Sequence, residues 1–198
     1  MINDFDHKAA TRAASMLLSA IGEDVEREGL ASTPKRYAKA WAQMTAGYRL
    51  DPAEVLKTSD GADGFDEVGG YDQLVAVGAI PFWSTCEHHL LPFGGVADVG
   101  YLPGKSGRVV GLSKIPRLVD MFARRLQVQE RMTQQIADTL TEHLNPSAVG
   151  VRIIAEHLCV ACRGVNKRVK MATCVFDGRF RESSSARAEW LDHMARCR

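Results

Sequence analysis

The sequence predicts an α+β fold, in which an antiparallel sheet carries two long helices on one side and further helices are added at the N-terminus. Three observations carry this reading. Between residues 73 and 177 the hydrophobic patterns run strand, strand, helix, helix, strand, strand. The two helical patterns are consecutive: Ile115, Leu118, Val119, Phe122 and Leu126 share one face, and Val128, Met132, Ile136 and Leu140 another, before Asn145-Pro146 ends the run. Finally, a stretch from Thr58 to Asp72, rich in Gly and Asp and poor in apolar residues, separates this region from an all-helical start.

In chain order, residues 6–21 read as a helix because Ala9, Ala13, Met16, Leu17 and Ala20 recur at three- and four-residue steps before Gly22. Thr33 is placed to cap a second helix with Pro34 at its first position, and Tyr37, Trp41 and Met44 form its apolar stripe. Asp51-Pro52-Ala53-Glu54 repeats the start signal with capping-box spacing. The expected organisation is therefore a helical segment 1–57, a linker 58–72, and a sheet-and-helix domain 73–198 that carries the chemistry. Strands are expected at 73–80, 95–102 and 108–112, the last two joined as a hairpin by Pro103-Gly104-Lys105-Ser106-Gly107. Ser113 can cap the first long helix. Residues 148–159 alternate as a strand with 170–177 as its partner, and 183–197 closes the chain as a helix carrying Ala186, Trp190 and Met194.

At 198 residues and 45% hydrophobic content the chain suits one compact domain with an accessory segment. Its 25 basic and 24 acidic side chains leave a net charge of +1, which argues against a protein that coats nucleic acid or an anionic membrane. No apolar run approaches the roughly 20 residues needed to span a bilayer, and the start has neither a basic leader nor an apolar core, so a cytoplasmic protein is expected. Five cysteines, Cys86, Cys159, Cys162, Cys174 and Cys197, in such a chain point to metal binding or reactivity rather than a disulfide framework. Cys174 and Cys197 are most simply packing residues.

Cys86 and His89 are three apart, a spacing that lets a thiolate and an imidazole chelate one ion, and zinc accepts both. If the strand persists to Cys159, then His157 and Cys159 share a face and deliver a third ligand and a neighbouring base to one place. Three ligands leave a fourth position for water, the arrangement of a catalytic zinc. Three rivals stand beside this. Cys162 could complete a closed Cys3His site, which would stabilise the fold by roughly 10–16 kcal/mol and imply a binding module. Cys159-Val160-Ala161-Cys162 could be a redox pair, although Arg163-Gly164 does not look like a helix continuing from it. A buried cysteine beside a surface histidine is the simplest of all. The cations Arg163, Lys167, Arg168 and Lys170 read either as a solvated face or as the fork-and-point-charge set that a polyphosphate needs.

Taken together, Ser84-Thr85-Cys86-Glu87-His88-His89, Gly111-Leu112-Ser113-Lys114-Ile115, residues 127–135 (Gln-Val-Gln-Glu-Arg-Met-Thr-Gln-Gln), and His157-Leu158-Cys159 with Arg163-Gly164 resemble GTP cyclohydrolase I. The resemblance runs from Thr33 to about Trp190 with its elements in family order and includes Thr33-Pro34-Lys35-Arg36-Tyr37-Ala38-Lys39. It implies the tunnelling fold, an antiparallel sheet with two helices on one side. It implies Zn2+ held by Cys86, His89 and Cys159, with His88 and His157 as acid–base groups. Glu130, with Gln129 beside it, is implied to read guanine. Arg36, Lys39, Ser113, Lys114, Arg117 and Arg163 are implied to hold the triphosphate, contributed by more than one subunit. Cys162 departs from the family pattern, which usually has a non-cysteine residue there. The implied activity is hydrolysis of GTP to 7,8-dihydroneopterin triphosphate and formate, the first step of folate and pterin synthesis. The implied assembly is a homo-oligomer, the family's ring-shaped decamer, with active sites between subunits. Another tunnelling-fold enzyme acting on a pterin or deazapurine is the nearest alternative, and the complete Cys-Glu-His-His plus His-x-Cys set stands against it.

Overall fold

The structure, a computed structural model, describes residues 4–56, 65–67, 71–105 and 107–197. Helix α1 (His7–Ala20) opens on Asp6, whose Oδ1 accepts the Ala9 amide at 2.9 Å, and packs against α2 (Thr33–Met44). The residue before α2 is Ser32, which makes no side-chain cap, so Thr33 lies inside the helix and is not the expected cap. A 3-10 turn, Ala46–Arg49, and α3 (Pro52–Leu56) follow, with Asp51 Oδ1 accepting the Ala53 amide at 2.9 Å. The 3-10 turn is the anchor of this segment: the Gly47 amide donates to Arg124 O at 2.9 Å, and the Leu126 amide donates to the Tyr48 hydroxyl at 3.1 Å. Most of the expected linker lies outside the described residues, but within it β1 (Phe65–Glu67) is a short strand.

Five strands form the main sheet in the order β5-β2-β3-β6-β7: β2 (Val75–Cys86), β3 (Pro92–Leu102), β5 (Leu126–Gln127), β6 (Ala148–His157) and β7 (Lys170–Gly178). All pairs are antiparallel except the short β2–β5 contact, which the sequence did not announce. The expected hairpin of 95–102 with 108–112 is not formed. Both edges of β3 are taken by β2 and β6, so β4 (Arg108–Val110) pairs instead with β1, and its Val110 amide donates to the Tyr101 hydroxyl at 2.9 Å.

Helices α4 (Lys114–Ala123) and α5 (Gln129–Leu144) lie on one face of the sheet. Ile115, Leu118, Val119 and Phe122 of α4 and Met132, Ile136, Leu140 and Leu144 of α5 are buried against Phe93, Val99, Tyr101, Val151 and Ile153. Burial at roughly 1.5–3 kcal/mol per large apolar side chain outweighs surface pairs such as Arg124–Asp120, worth roughly 0.3–0.5 kcal/mol. Ser113 precedes α4 but caps nothing with its side chain. α5 ends on Asn145 in the left-handed region, φ 47°, just before Pro146. On the other face lies α8 (Ser184–Arg196), preceded by the single turn α7 (Arg179–Glu182). Its Trp190 seats on Gly100, where an added Cβ would come within 2.5 Å of the indole nitrogen, so only glycine fits.

The β2 strand changes parity partway. Val77 pairs with Val99 and Ile80 with Ala97, so Gly78 and Ala79 together oppose Asp98, a bulge with Ala79 at φ 55°. The Ala79 amide donates to Asp98 Oδ1 at 2.9 Å, and Arg152 donates to the other carboxylate oxygen at 2.7 Å. Before the bulge odd residues, Val75 and Val77, face the α4–α5 core; after it even ones, Ile80, Phe82 and Cys86, do so. No helix among the described residues is long and apolar enough to cross a membrane.

Candidate active site

The parity shift delivers Cys86 to the helix-facing side of the sheet at the end of β2. There the chain reverses: the Leu90 amide donates to Cys86 O at 2.8 Å and the Cys86 amide to Leu91 O at 2.9 Å, with Leu90 left-handed at φ 56°. This turn presents His88 and His89. In β6 the helix-facing row Val149, Val151, Ile153, Ala155 continues to His157. The strand stops there. Cys159 is reached through a single helical turn, α6 (Leu158–Ala161), and not along a strand as expected.

The side-chain donors of Cys86, His89 and Cys159 all lie within 4.8 Å of one another. Cys86 Sγ is 3.8 Å from His89 Nδ1. A tetrahedral ion about 2.3 Å from sulfur and about 2.1 Å from nitrogen spaces its ligands by about 3.5–3.8 Å, so the set fits zinc with an adjustment of about 1 Å. Burial, reinforced by the neighbouring Cys86 thiol, holds the Cys159 thiol above its ordinary range. Cys162 is exposed and outside this group, so the closed Cys3His site is not formed. A helical turn does start at the Cys-x-x-Cys run, yet it aims Cys159 at Cys86 and His89.

His157 is gripped on two sides. Its ring stacks on Phe93 at 4.5 Å between centroids and 2° between planes, and its Nε2 lies 2.8 Å from Gln129 Oε1. Burial pushes its pKa below the ordinary imidazole range, opposed in part by the Glu130 carboxylate. Gln129 is buried, and its amide nitrogen reaches Ile153 O at 3.1 Å, Met171 O at 3.1 Å and Thr173 Oγ1 at 3.2 Å. Both polar atoms of that amide thus have partners within the protein, although the side chain lies beside Glu130 as the sequence expectation has it. Glu130, exposed in the first turn of α5, remains open to a ligand and is favoured there as an anion at a helix start.

A cavity of about 270 Å³ is lined by Cys86, His88, His89, Gln127, Val128, Gln129, Glu130, His157, Cys159 and Val160. Seven of the residues singled out in the sequence meet here. Arg163 stands at its margin, 3.5 Å from Cys159 O. Ser113, Lys114 and Arg117, at the start of α4, and the exposed Arg36 and Lys39 of α2 are not among the lining residues. The larger cleft, about 480 Å³ beside Met44, Trp83 and Arg124, holds none of the predicted residues, and the donor set decides for the smaller one. Sequence reasoning missed Phe93, whose role rests on strand register, and Arg131. Arg131 forms an ion pair with Glu87, fastening the metal turn to α5 and holding the Glu87 carboxyl below the usual range.

Among the described residues no fourth protein donor joins the Cys2His set, so it would leave one coordination position for water. That is the donor set of a metal-dependent hydrolytic enzyme rather than of a closed structural zinc module. The sequence profile of GTP cyclohydrolase I matches residues 10–195. GTP cyclohydrolase 1 of Mycolicibacterium paratuberculosis is 52% identical over 98% of this chain and 93% of its own length. The same enzyme of Corynebacterium glutamicum is 51% identical over 95% and 93%. Among solved structures, the apo form of an archaeosine synthase QueF-Like covers 51% of this chain and 91% of its own at 18% identity, with a TM-score of 0.38, a likeness too slight to bear on function. The chain belongs to the GTP cyclohydrolase I family: it is a zinc-dependent hydrolase that converts GTP to dihydroneopterin triphosphate.

Proposed function

We propose that this reaction runs in the cavity over Cys86, His89 and Cys159, with His157 and His88 moving protons and Glu130 selecting guanine. The observation that carries the proposal is the meeting of these groups, from β2, β6, α6 and the start of α5, in one cavity of about 270 Å³. Glu130 accepts from the ring N–H and the exocyclic amine of guanine, a donor pair that adenine does not offer. Bound by its three ligands, zinc supplies a Lewis-acid centre with one position open for water. His157 gives a proton to the ring nitrogen beside carbon 8, which makes that carbon electrophilic toward water; such general acid–base help contributes about 10²–10⁴-fold. His88, on the same turn as His89, serves the later proton transfers of ring opening, loss of carbon 8 as formate, ribose rearrangement and closure. The turn's anchors, Glu87 on Arg131 and Cys86 on Leu91, hold these groups in place.

The triphosphate is held by Arg163 together with Ser113, Lys114, Arg117, Arg36 and Lys39. At about 270 Å³ the cavity falls just below the roughly 300–1,000 Å³ usual for ligand sites, small for a whole nucleoside triphosphate, and this supports a site completed by a second subunit. Among the described residues β7 has a sheet neighbour on one side only, and an edge nine residues long is a template for another chain. The assembly is a homo-oligomer, the family's ring-shaped decamer, working in the cytoplasm, with the helical segment 1–57 and the domain 73–198 acting as one unit. Formate release from GTP, measured with and without prior chelation, tests the reading: release that chelator abolishes and zinc restores is expected. No release from folded, zinc-loaded protein would overturn it.

A further inference from the structure

We infer that Arg131 is a positioning residue that sets the distance between the metal turn, residues 86–89, and Glu130, and with it the placement of the reacting carbon of guanine against the metal site. The inference rests on the roles given above to Glu130 and to the Cys86, His89 and Cys159 set.

The shape of the base makes that distance matter. The ring N–H and exocyclic amine that Glu130 accepts belong to the six-membered ring, whereas carbon 8 belongs to the five-membered ring at the other end. A purine is rigid, so a base held by Glu130 brings carbon 8 to a point it cannot adjust, and the metal site has to stand at that point beforehand. One ion pair spans the two ends: Arg131, which follows Glu130 in α5, grips Glu87, which follows Cys86. Its Nη1 donates to one carboxylate oxygen at 3.3 Å and its Nη2 to the other, a two-armed pair. Arg131 is not among the residues lining the cavity, so its influence on substrate passes through this pair.

An exposed ion pair between two flexible side chains shifts an equilibrium by less than about fivefold. This pair differs because the guanidinium is held in place before it meets Glu87. The buried Gln127 donates through its amide nitrogen to Phe122 O at 3.0 Å and to Gln135 Oε1 at 2.9 Å. A backbone carbonyl can only accept, so the other atom of that amide is its oxygen, and it accepts Arg131 Nε at 3.2 Å. Arg131 Nη2 also donates to Leu126 O at 3.2 Å. The same strand, β5, supplies the backbone half of the clamp, where the Glu87 amide donates to Gln127 O at 3.0 Å. A lysine gathers its donors at one point and cannot reach Gln127, Leu126 and both oxygens of Glu87 together, so the position calls for arginine and not merely for a positive charge.

The test compares Arg131→Met, Arg131→Lys and Glu87→Gln with the wild-type protein. Co2+ affinity is measured by chelator competition, and hydrogen exchange of the Glu87 and Leu90 amides, bonded to Gln127 O and Cys86 O, is measured in chelated protein. Both Arg131 variants are expected to bind Co2+ about tenfold more weakly and to exchange these amides about tenfold faster. At saturating Zn2+ they are expected to lose about 10- to 100-fold in kcat with KM for GTP within about threefold, since a base displaced by about 1 Å from the metal is still bound through Glu130. Glu87→Gln, which keeps the shape and removes the charge, is expected to shift the same quantities in the same direction by less. Wild-type Co2+ affinity and amide exchange in Arg131→Met would overturn the inference, as would a loss confined to KM or full activity in Arg131→Lys. If the Arg131 variants do not fold, Glu87→Gln decides, and no change there overturns it. Wild-type protein that binds Co2+ yet releases no formate from GTP would instead overturn the roles on which the inference rests, a failure told apart because the differences in affinity and exchange would persist.

Discussion

Cys159 holds its proton more firmly than a free thiol because it is buried beside Cys86. A ligating thiolate must lose that proton, so a raised pKa means that metal uptake competes with protons across neutral pH. Zinc affinity should therefore rise with pH and fall on acidification, with proton release on binding, a trend that titration against a competing chelator at several pH values will read. Cys159→Ser should lose both zinc and formate release, whereas Cys162→Ser should keep both, measured as zinc stoichiometry and turnover; zinc loss in Cys162→Ser would reinstate the four-ligand site. Glu130→Gln removes a charged acceptor. At roughly 1.5–3 kcal/mol for hydrogen bonds to a charge, kcat/KM for GTP should fall about 10- to 150-fold, with zinc content unchanged.

At the scale of elements, the buried Asp98 joins the bulge amide of Ala79 to Arg152, which also lies 5.6 Å over the Trp190 ring. Asp98→Ala strands both partners, and a loss of about 3–5 kcal/mol is expected in denaturant unfolding. Little of this device was legible beforehand. Periodicity disclosed α4, α5 and most strands, because alternation and the 3.6-residue repeat are local properties. The turn at Pro103–Gly107 was legible as a turn, but a turn does not name its strand partner, and β3 had both edges taken. The metal set was legible from spacing, although Cys159 arrives on a helical turn and not on the strand that the spacing argument assumed. Phe93 was beyond reach, since its stack on His157 depends on β3–β6 register, which no local pattern encodes.

For the whole molecule, the separation of Arg36 and Lys39 from the cavity makes a clear demand. If neighbouring subunits complete each site, Arg36→Ala and His157→Ala proteins, each impaired alone, should recover part of their activity when dissociated and reassembled together; strictly additive rates would count against shared sites. The bulge in β2 has a consequence of another kind. It stores one residue more than the strand needs, so it acts as slack. A residue lost beside it could be absorbed by straightening Gly78 and Ala79, and Cys86 would still face His157. A residue gained between Ile80 and Thr85 has no such reserve to draw on and would turn Cys86 away from the other two ligands. This strand is thus asymmetric toward change in length: one deletion at the bulge gives up the Ala79–Asp98 bond but keeps Cys86 in register, whereas one insertion beyond it does not.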